Sequence, residues 1–266
     1  MAIMPSLFIS HGGPNIVTDD TPARRYLQGL ASLLPQRPKA IVVMSAHFET
    51  DGVAVVTDPA PGMIYDFGGF APELYKMVYP AKGDPVLAEE VFSLLDAAGM
   101  APARVARRGY DHGTWTALML AFPEADIPVV QVSIDPGRDA SWHFRLGEAL
   151  SGLRDKGVLL IGSGHITHNL RAFFPVFRGM APADPDLARK VDAFTGWFAD
   201  KLEAGDRAAV IDWNRLAPFP AENHPTDEHL MPIFFAYGAA GDGARVERAH
   251  ASKQLGFFAF DSYLFH

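Results

Sequence analysis

Ala40-Ile41-Val42-Val43-Met44-Ser45-Ala46-His47 is the stretch that decides the fold. Its apolar run is unbroken, rich in β-branched residues, and ends on serine and histidine. It is too short for an ordinary helix and lacks the polar alternation of a half-exposed strand, so it reads as a strand buried on both faces. Leu7-Phe8-Ile9, Val53-Ala54-Val55-Val56, Val129-Val130-Gln131-Val132-Ser133-Ile134 and Val158-Leu159-Leu160-Ile161 read the same way. Helical stretches lie between them. Thr21-Pro22 opens one reaching about Leu34, Asp84-Pro85 one to Ala98, and Asp184-Pro185 one towards Leu202. Each places a cap residue before a proline at the first helical position. Ala140-Ser141 precedes a further helix reaching Arg154. This alternation predicts an α/β fold, a central β-sheet flanked by helices on both faces. No repeat, low-complexity tract or linker interrupts residues 1–266, so a single domain is expected. The Pro/Gly-rich segment from Asp58 to Pro72 is long enough to be a functional loop.

Composition narrows the function. With 266 residues, 48% hydrophobic and 20% charged, the chain can bury a full core. No apolar run approaches the ~18 residues of a membrane span, and no secretory signal pattern opens the sequence. A cytoplasmic protein without a membrane partner is expected. The net charge of −8 argues against a nucleic-acid partner. Arg104, Arg107 and Arg108 cluster locally and read as solvated surface. Cysteine is absent, which removes disulfides, zinc ribbons, iron–sulfur clusters and thiol nucleophiles together. Any metal must be held by imidazole and carboxylate. No His-Glu-x-x-His, Gly-x-Ser-x-Gly, Walker loop or Gly-x-Gly-x-x-Gly turn occurs. Zincin proteases, serine hydrolases, nucleoside-triphosphate enzymes and NAD-dependent dehydrogenases are disfavoured accordingly.

The histidines carry the chemistry. His11 and His47 end strand-like runs in Ser10-His11-Gly12-Gly13 and Ser45-Ala46-His47. A Gly162-Ser163-Gly164 turn precedes His165 and His168. If these strands run parallel, their carboxyl ends share one ligand-binding edge. Metal ligation is the preferred reading for His11 and His47, because rigid strands would fix their rings. His112, in Asp111-His112-Gly113, is either a turn histidine bonded to a nearby carbonyl or a hydrogen-bond donor to substrate or bound oxygen. His165 and His168, three apart, share a face if their segment is helical. His229 follows the helix-start signature Thr226-Asp227-Glu228, and a helix N-terminus favours the neutral imidazole a metal needs. Its rival is His224. His143 is expected to pack at a helix start, and His250 and His266 read as surface.

Taken in order, Ser10-His11-Gly12-Gly13-Pro14, Ser45-Ala46-His47-Phe48-Glu49-Thr50, Tyr65-Asp66-Phe67-Gly68-Gly69-Phe70, Asp111-His112-Gly113-Thr114-Trp115, Thr167-His168-Asn169-Leu170 and Pro225-Thr226-Asp227-Glu228-His229-Leu230 span nearly the whole chain. This ordered set resembles the class III extradiol ring-cleavage dioxygenases, specifically the DOPA-dioxygenase branch. The resemblance implies an α/β fold around a non-haem metal, with His11, His47 and His229 as ligands. His168 matches the family's acid/base histidine, which in some members is close enough to be a fourth ligand. His112 matches a substrate-side histidine, and the loop with Asp66, Phe67 and Gly68 would line the aromatic pocket. The implied substrates are dioxygen and a catechol of DOPA or caffeate type, and the implied ion is Fe(II), with Zn(II) able to occupy the site. His165 matches no fixed family position.

Two other classes stay open on the residues alone. Three histidines and a water also make a catalytic zinc site, so a zinc hydrolase is one. A non-catalytic protein that binds an aromatic ligand or a metal is the other. Anaerobic activity would mark the hydrolase, and binding without turnover the second. The sequence assigns no oligomeric state.

Overall fold

The deciding stretch becomes strand β2, Ala40–Glu49, in the computed structural model, which describes residues 2–266. Ile41, Val42, Val43 and Met44 are each at most 1% exposed, as burial on both faces requires. β2 lies parallel between β5, Val129–Ile134, and β6, Val158–Gly164. β1, Ser6–Ser10, extends the parallel set beyond β6. On the other side come β3, Ala54–Val56, antiparallel to β5, and then β4, Ala103–Val105. The remaining edge is antiparallel, with β10, Ser262–Phe265, on β1 and β7, Val246–His250, on β10. The eight-stranded sheet thus runs β4-β3-β5-β2-β6-β1-β10-β7. A separate two-stranded piece pairs β8, Lys253–Gln254, with β9, Phe258–Ala259.

Helix starts follow from side-chain caps. Thr21 and Asp84 accept from the first turns of α1, Pro22–Gly29, and α2, Pro85–Ala97. Asp111 caps α3, His112–Ala121, and Asp139 caps α4, Ala140–Leu150. Asn169 caps α5, Leu170–Phe177, and Asp184 caps α6, Pro185–Glu203. The short α7, Arg207–Ile211, α8, Trp213–Leu216, and α9, Pro220–Asn223, lead to α10, Met231–Ala240. Two expected helices are shorter than the sequence suggests. α1 gives way at Leu30–Leu33, and α4 at Ser151–Lys156, to tighter turns of 3₁₀ geometry. Among the described residues no helix is long and apolar enough to cross a membrane.

The Gly162-Ser163-Gly164 segment is not a turn but the last three residues of β6. Alternation along the strand explains why those residues are there. A Cβ on Gly162 would lie 1.9 Å from Pro232 O, and one on Gly164 2.1 Å from His229 O. On this face the backbone leading into α10 therefore presses directly on the strand. Ser163 points the other way and donates to Gly113 O at the start of α3. Helices accordingly cover both faces. The strand register pairs Ser10 with Gly164 and Ser45 with Ser163, so β1, β2 and β6 end at one level. That shared edge is where a ligand site is expected in a sheet of this kind.

Candidate metal centre and substrate cavity

His11 leaves the end of β1, with its backbone N–H held by Gly164 O at 3.0 Å. Its Nδ1 lies 3.0 Å from Ser163 Oγ. Because that hydroxyl gives its own proton to Gly113 O, it accepts from His11 Nδ1–H. The Nε2 of His11 therefore carries a free lone pair. The same logic fixes two other rings. His47 Nδ1 faces Asp66 Oδ2 at 3.3 Å, and His229 Nδ1 faces Glu228 Oε1 at 2.8 Å. A carboxylate on Nδ1 leaves Nε2 as the ligating atom.

The three Nε2 atoms then meet. His47 Nε2 is 3.2 Å from that of His11 and 3.3 Å from that of His229. Lone pairs this close repel one another, and a cation between them removes the repulsion. An ion about 2.0–2.1 Å from each imidazole nitrogen would separate its ligand atoms by about 2.8–3.4 Å, for angles from a right angle to tetrahedral. The observed spacing fits. All three rings are well suited to the neutral state. Burial, then the neighbouring imidazoles, hold His11 and His229 well below the usual histidine range and His47 at about 4. Gly113 makes room for the cluster: a Cβ there would meet Ser45 Oγ at 2.6 Å and the His11 and His47 rings at 3.0 Å.

Two more histidines join this centre. His112, the first residue of α3, places Nδ1 2.9 Å and its backbone N–H 3.0 Å from Asp66 Oδ1. Its ring centroid is 4.1 Å from that of His47. His168 stacks on His229, with centroids 3.4 Å apart and planes 14° from parallel. Its Nδ1 is 3.5 Å from the same Glu228 Oε1 that serves His229. Each carboxylate thus spans two imidazoles. Burial alone would raise both acids. Hydrogen bonds from His112 to Asp66, and from His168 and Thr226 to Glu228, outweigh it and hold each at about 2.

Beneath the ligands runs a polar brace. Asp111 accepts from Ser45 Oγ at 2.7 Å and pairs with Arg108 at 2.9 Å, while Arg108 also donates to His47 O at 3.0 Å. Arg108 is therefore not solvated surface, as its local cluster suggested; its side chain is only 14% exposed. Arg104 fits the surface reading and pairs with Glu89.

A cavity of about 300 Å³ opens over the histidines. Phe67, Gly68 and Phe70 wall one side, and Phe173, Phe174 and Phe177 of α5 with Phe258 wall the other. Asp66 borders it too, but its oxygens are engaged by His47 and His112.

The family described as the catalytic LigB subunit of aromatic ring-opening dioxygenase matches residues 5–259. The chain belongs to this family. It is 46% identical over 239 residues to a 4,5-DOPA dioxygenase extradiol of Escherichia coli (strain K12), covering 89% of this chain and 85% of that one. It is 39% identical over 266 residues to a Beta vulgaris protein of the same name, covering 99% and 97%. The crystal structure of an uncharacterized Escherichia coli K12 protein matches with a TM-score of 0.78 at 31% identity, covering 99% and 100%. This LigB-family chain is an extradiol aromatic ring-opening dioxygenase, an oxidoreductase that uses dioxygen and depends on a metal.

Within the LigB-family chain, the geometry gathers His11, His47, His229, His168 and His112, adds His165 to the cavity wall, and sends the remaining histidines elsewhere. His224 is fully buried, with Nε2 2.8 Å from Ile166 O, and its ring lies between Phe194 and Trp213. His143 sits in the first turn of α4 as expected, bonded to Asp139 O. His250 is half-buried against Tyr26 rather than free on the surface, whereas His266 is exposed. His229 precedes α10 in a turn, where the N–H groups of Leu230 and Met231 both reach Asp227 O, rather than sitting within the helix. Sequence reading missed the orienting partners Ser163 and Asp111, and Arg108. Asp111 had a usable signal, a capping residue directly before His112-Gly113.

Proposed function

We propose that the whole chain acts as one catalytic domain that opens the ring of a catechol, of DOPA or caffeate type, by extradiol insertion of dioxygen at Fe(II). The observation that carries this reading is the convergence of three Nε2 lone pairs at the floor of an aromatic cavity, that of His47 lying 3.2 Å from His11 and 3.3 Å from His229. His11, His47 and His229 would hold the ion, and Zn(II) would fit the same donors. When bound, the metal would supply Lewis acidity towards the catechol and an electron path to dioxygen.

The chain's own residues manage protons and solvent. Three neutral imidazoles leave a divalent site at +2, which the two negative charges of a catecholate balance. His168 is the proposed acid/base. With Nδ1–H directed at Glu228, its Nε2 is free to take a hydroxyl proton and later return it. His112, with Nδ1–H on Asp66, presents Nε2 as an acceptor while neutral. It therefore receives a hydrogen bond from a substrate hydroxyl. The phenylalanine walls, with Phe67 and Gly68 among them, would stack the ring and keep bulk water out. The test is to reconstitute the protein anaerobically with Fe(II), add DOPA or caffeate, and admit oxygen. Oxygen uptake with a new visible band is expected. A protein that binds Fe(II) and catechol yet takes up no oxygen would defeat the proposal.

A further inference from the structure

DOPA and caffeate each carry a carboxylate on a short side chain of the ring. A catechol whose two oxygens face His11, His47 and His229 must point that side chain the other way, along the phenylalanine walls towards the mouth of the cavity. The mouth lies at the C-terminal end of α5, where Phe177 lines the cavity and is nevertheless 41% exposed. The charges there do not suit an anion. No lysine or arginine lines the cavity, Asp66 borders it as a carboxylate, and the whole chain carries −8. A carboxylate held at the mouth needs a cation just outside the walls, one not already neutralised by an acid.

Arginines elsewhere on the surface are commonly paired, as Arg104 is with Glu89, Arg189 with Asp186 and Arg215 with Asp212. Lys253, beside the cavity residue Gln254, is held by Asp192. Arg171 in α5 and Arg178 at its C-cap pair with no carboxylate among the described residues. Of these two, Arg178 is tied to the cavity wall. Its backbone N–H bonds Phe174 O at 3.0 Å, and its guanidinium carbon stands 5.2 Å from the centroid of the Phe174 ring. Phe174 is itself part of the wall. A guanidinium resting on a ring face keeps its fork of N–H donors open to a carboxylate.

We infer that Arg178 is a specificity-determining residue, receiving the side-chain carboxylate of the substrate at the mouth of the cavity. This rests on the catechol reading above. The contact is exposed to solvent, so it is modest in strength and screened by salt. It selects acidic catechols over neutral ones of the same shape, and it offsets the repulsion that a chain of net negative charge exerts on an anionic substrate.

The test measures anaerobic binding of caffeate and of its methyl ester to the metal-loaded protein at neutral pH and low salt. The comparison is among the native chain, Arg178→Gln, Arg178→Lys and Arg171→Gln. The native chain should prefer caffeate, and the preference should shrink as salt is raised towards about 1 M. Arg178→Gln should lose about three- to fivefold for caffeate and little for the ester, with an unchanged melting point. Arg178→Lys should retain more of the preference, because the charge remains. A native chain that does not distinguish the two ligands, or an Arg178→Gln that weakens both equally or neither, would overturn the inference. So would an Arg171→Gln that loses as much for caffeate as Arg178→Gln, since the effect would then be a general field and not this contact. If the native chain binds neither ligand, the catechol reading itself fails and this inference with it.

Discussion

Glu228 Oε1 lies 2.8 Å from His229 Nδ1 and 3.5 Å from His168 Nδ1, so one oxygen orients a ligand and the proposed acid/base together. Removing its charge should therefore disturb two functions. Glu228→Gln is expected to lower metal affinity about 10–100-fold, the usual size for a partner that orients a ligand. Competition with a calibrated chelator measures it, and unchanged affinity would show that Glu228 is incidental. His168→Ala separates the two roles. It should keep the metal and lose about 10²–10⁴ in rate. Turnover close to that of the native chain would remove His168 from the acid/base role. At the third ligand position, His229→Ala should lose metal while His224→Ala keeps it, because His224 Nε2 is committed to Ile166 O. Metal analysis of the two purified variants decides between them.

The close fit of α10 on β6 carries His229 to the centre, and glycine makes it possible. In Gly162→Ala the new Cβ would sit 1.9 Å from Pro232 O, so the start of α10 must move. We expect a loss of about 1–3 kcal/mol in unfolding free energy, typical of overpacking, with weaker metal retention. A variant that unfolds like the native chain and holds metal equally well would show that this contact does not position His229. The same contact marks the limit of what the residues disclosed. β2, with Ile41 to Met44 unbroken, announced burial on both faces, and the ends of β1 and β2 announced His11 and His47. α10 did not announce itself, because nine of its ten residues are buried and it has no polar face to set a period. Ser163 and Arg108 were equally silent. Their roles depend on which face of β6 a residue takes and on a pairing with Asp111, and both emerge only when distant segments meet.

Acid should loosen the folded chain through histidines that are not among the three converging ligands. His143 and His224 are buried and held at about 4, chiefly by desolvation, against about 6.5 when unfolded. Above pH 6.5 neither state carries their protons and stability is level. Between about 6.5 and 4 the unfolded chain binds protons the native chain refuses. Unfolding then becomes easier by up to about 1.4 kcal/mol per pH unit for each group. Urea midpoints for the metal-free protein should fall across that window, and less steeply for His143→Gln. The metal acts on the same balance from the other side. Three imidazoles, two buried and one half-buried, converge on one point, so an ion bound there is bound only by the native state. At a hundredfold excess over its dissociation constant it would add about 2.7 kcal/mol. For a chain of this length that is about 5–10 °C in melting temperature. Chelation should lower the midpoint by that order, and Fe(II) or Zn(II) should each restore it, since the donor set accepts both. A midpoint indifferent to chelator would mean that the three lone pairs hold no metal in solution.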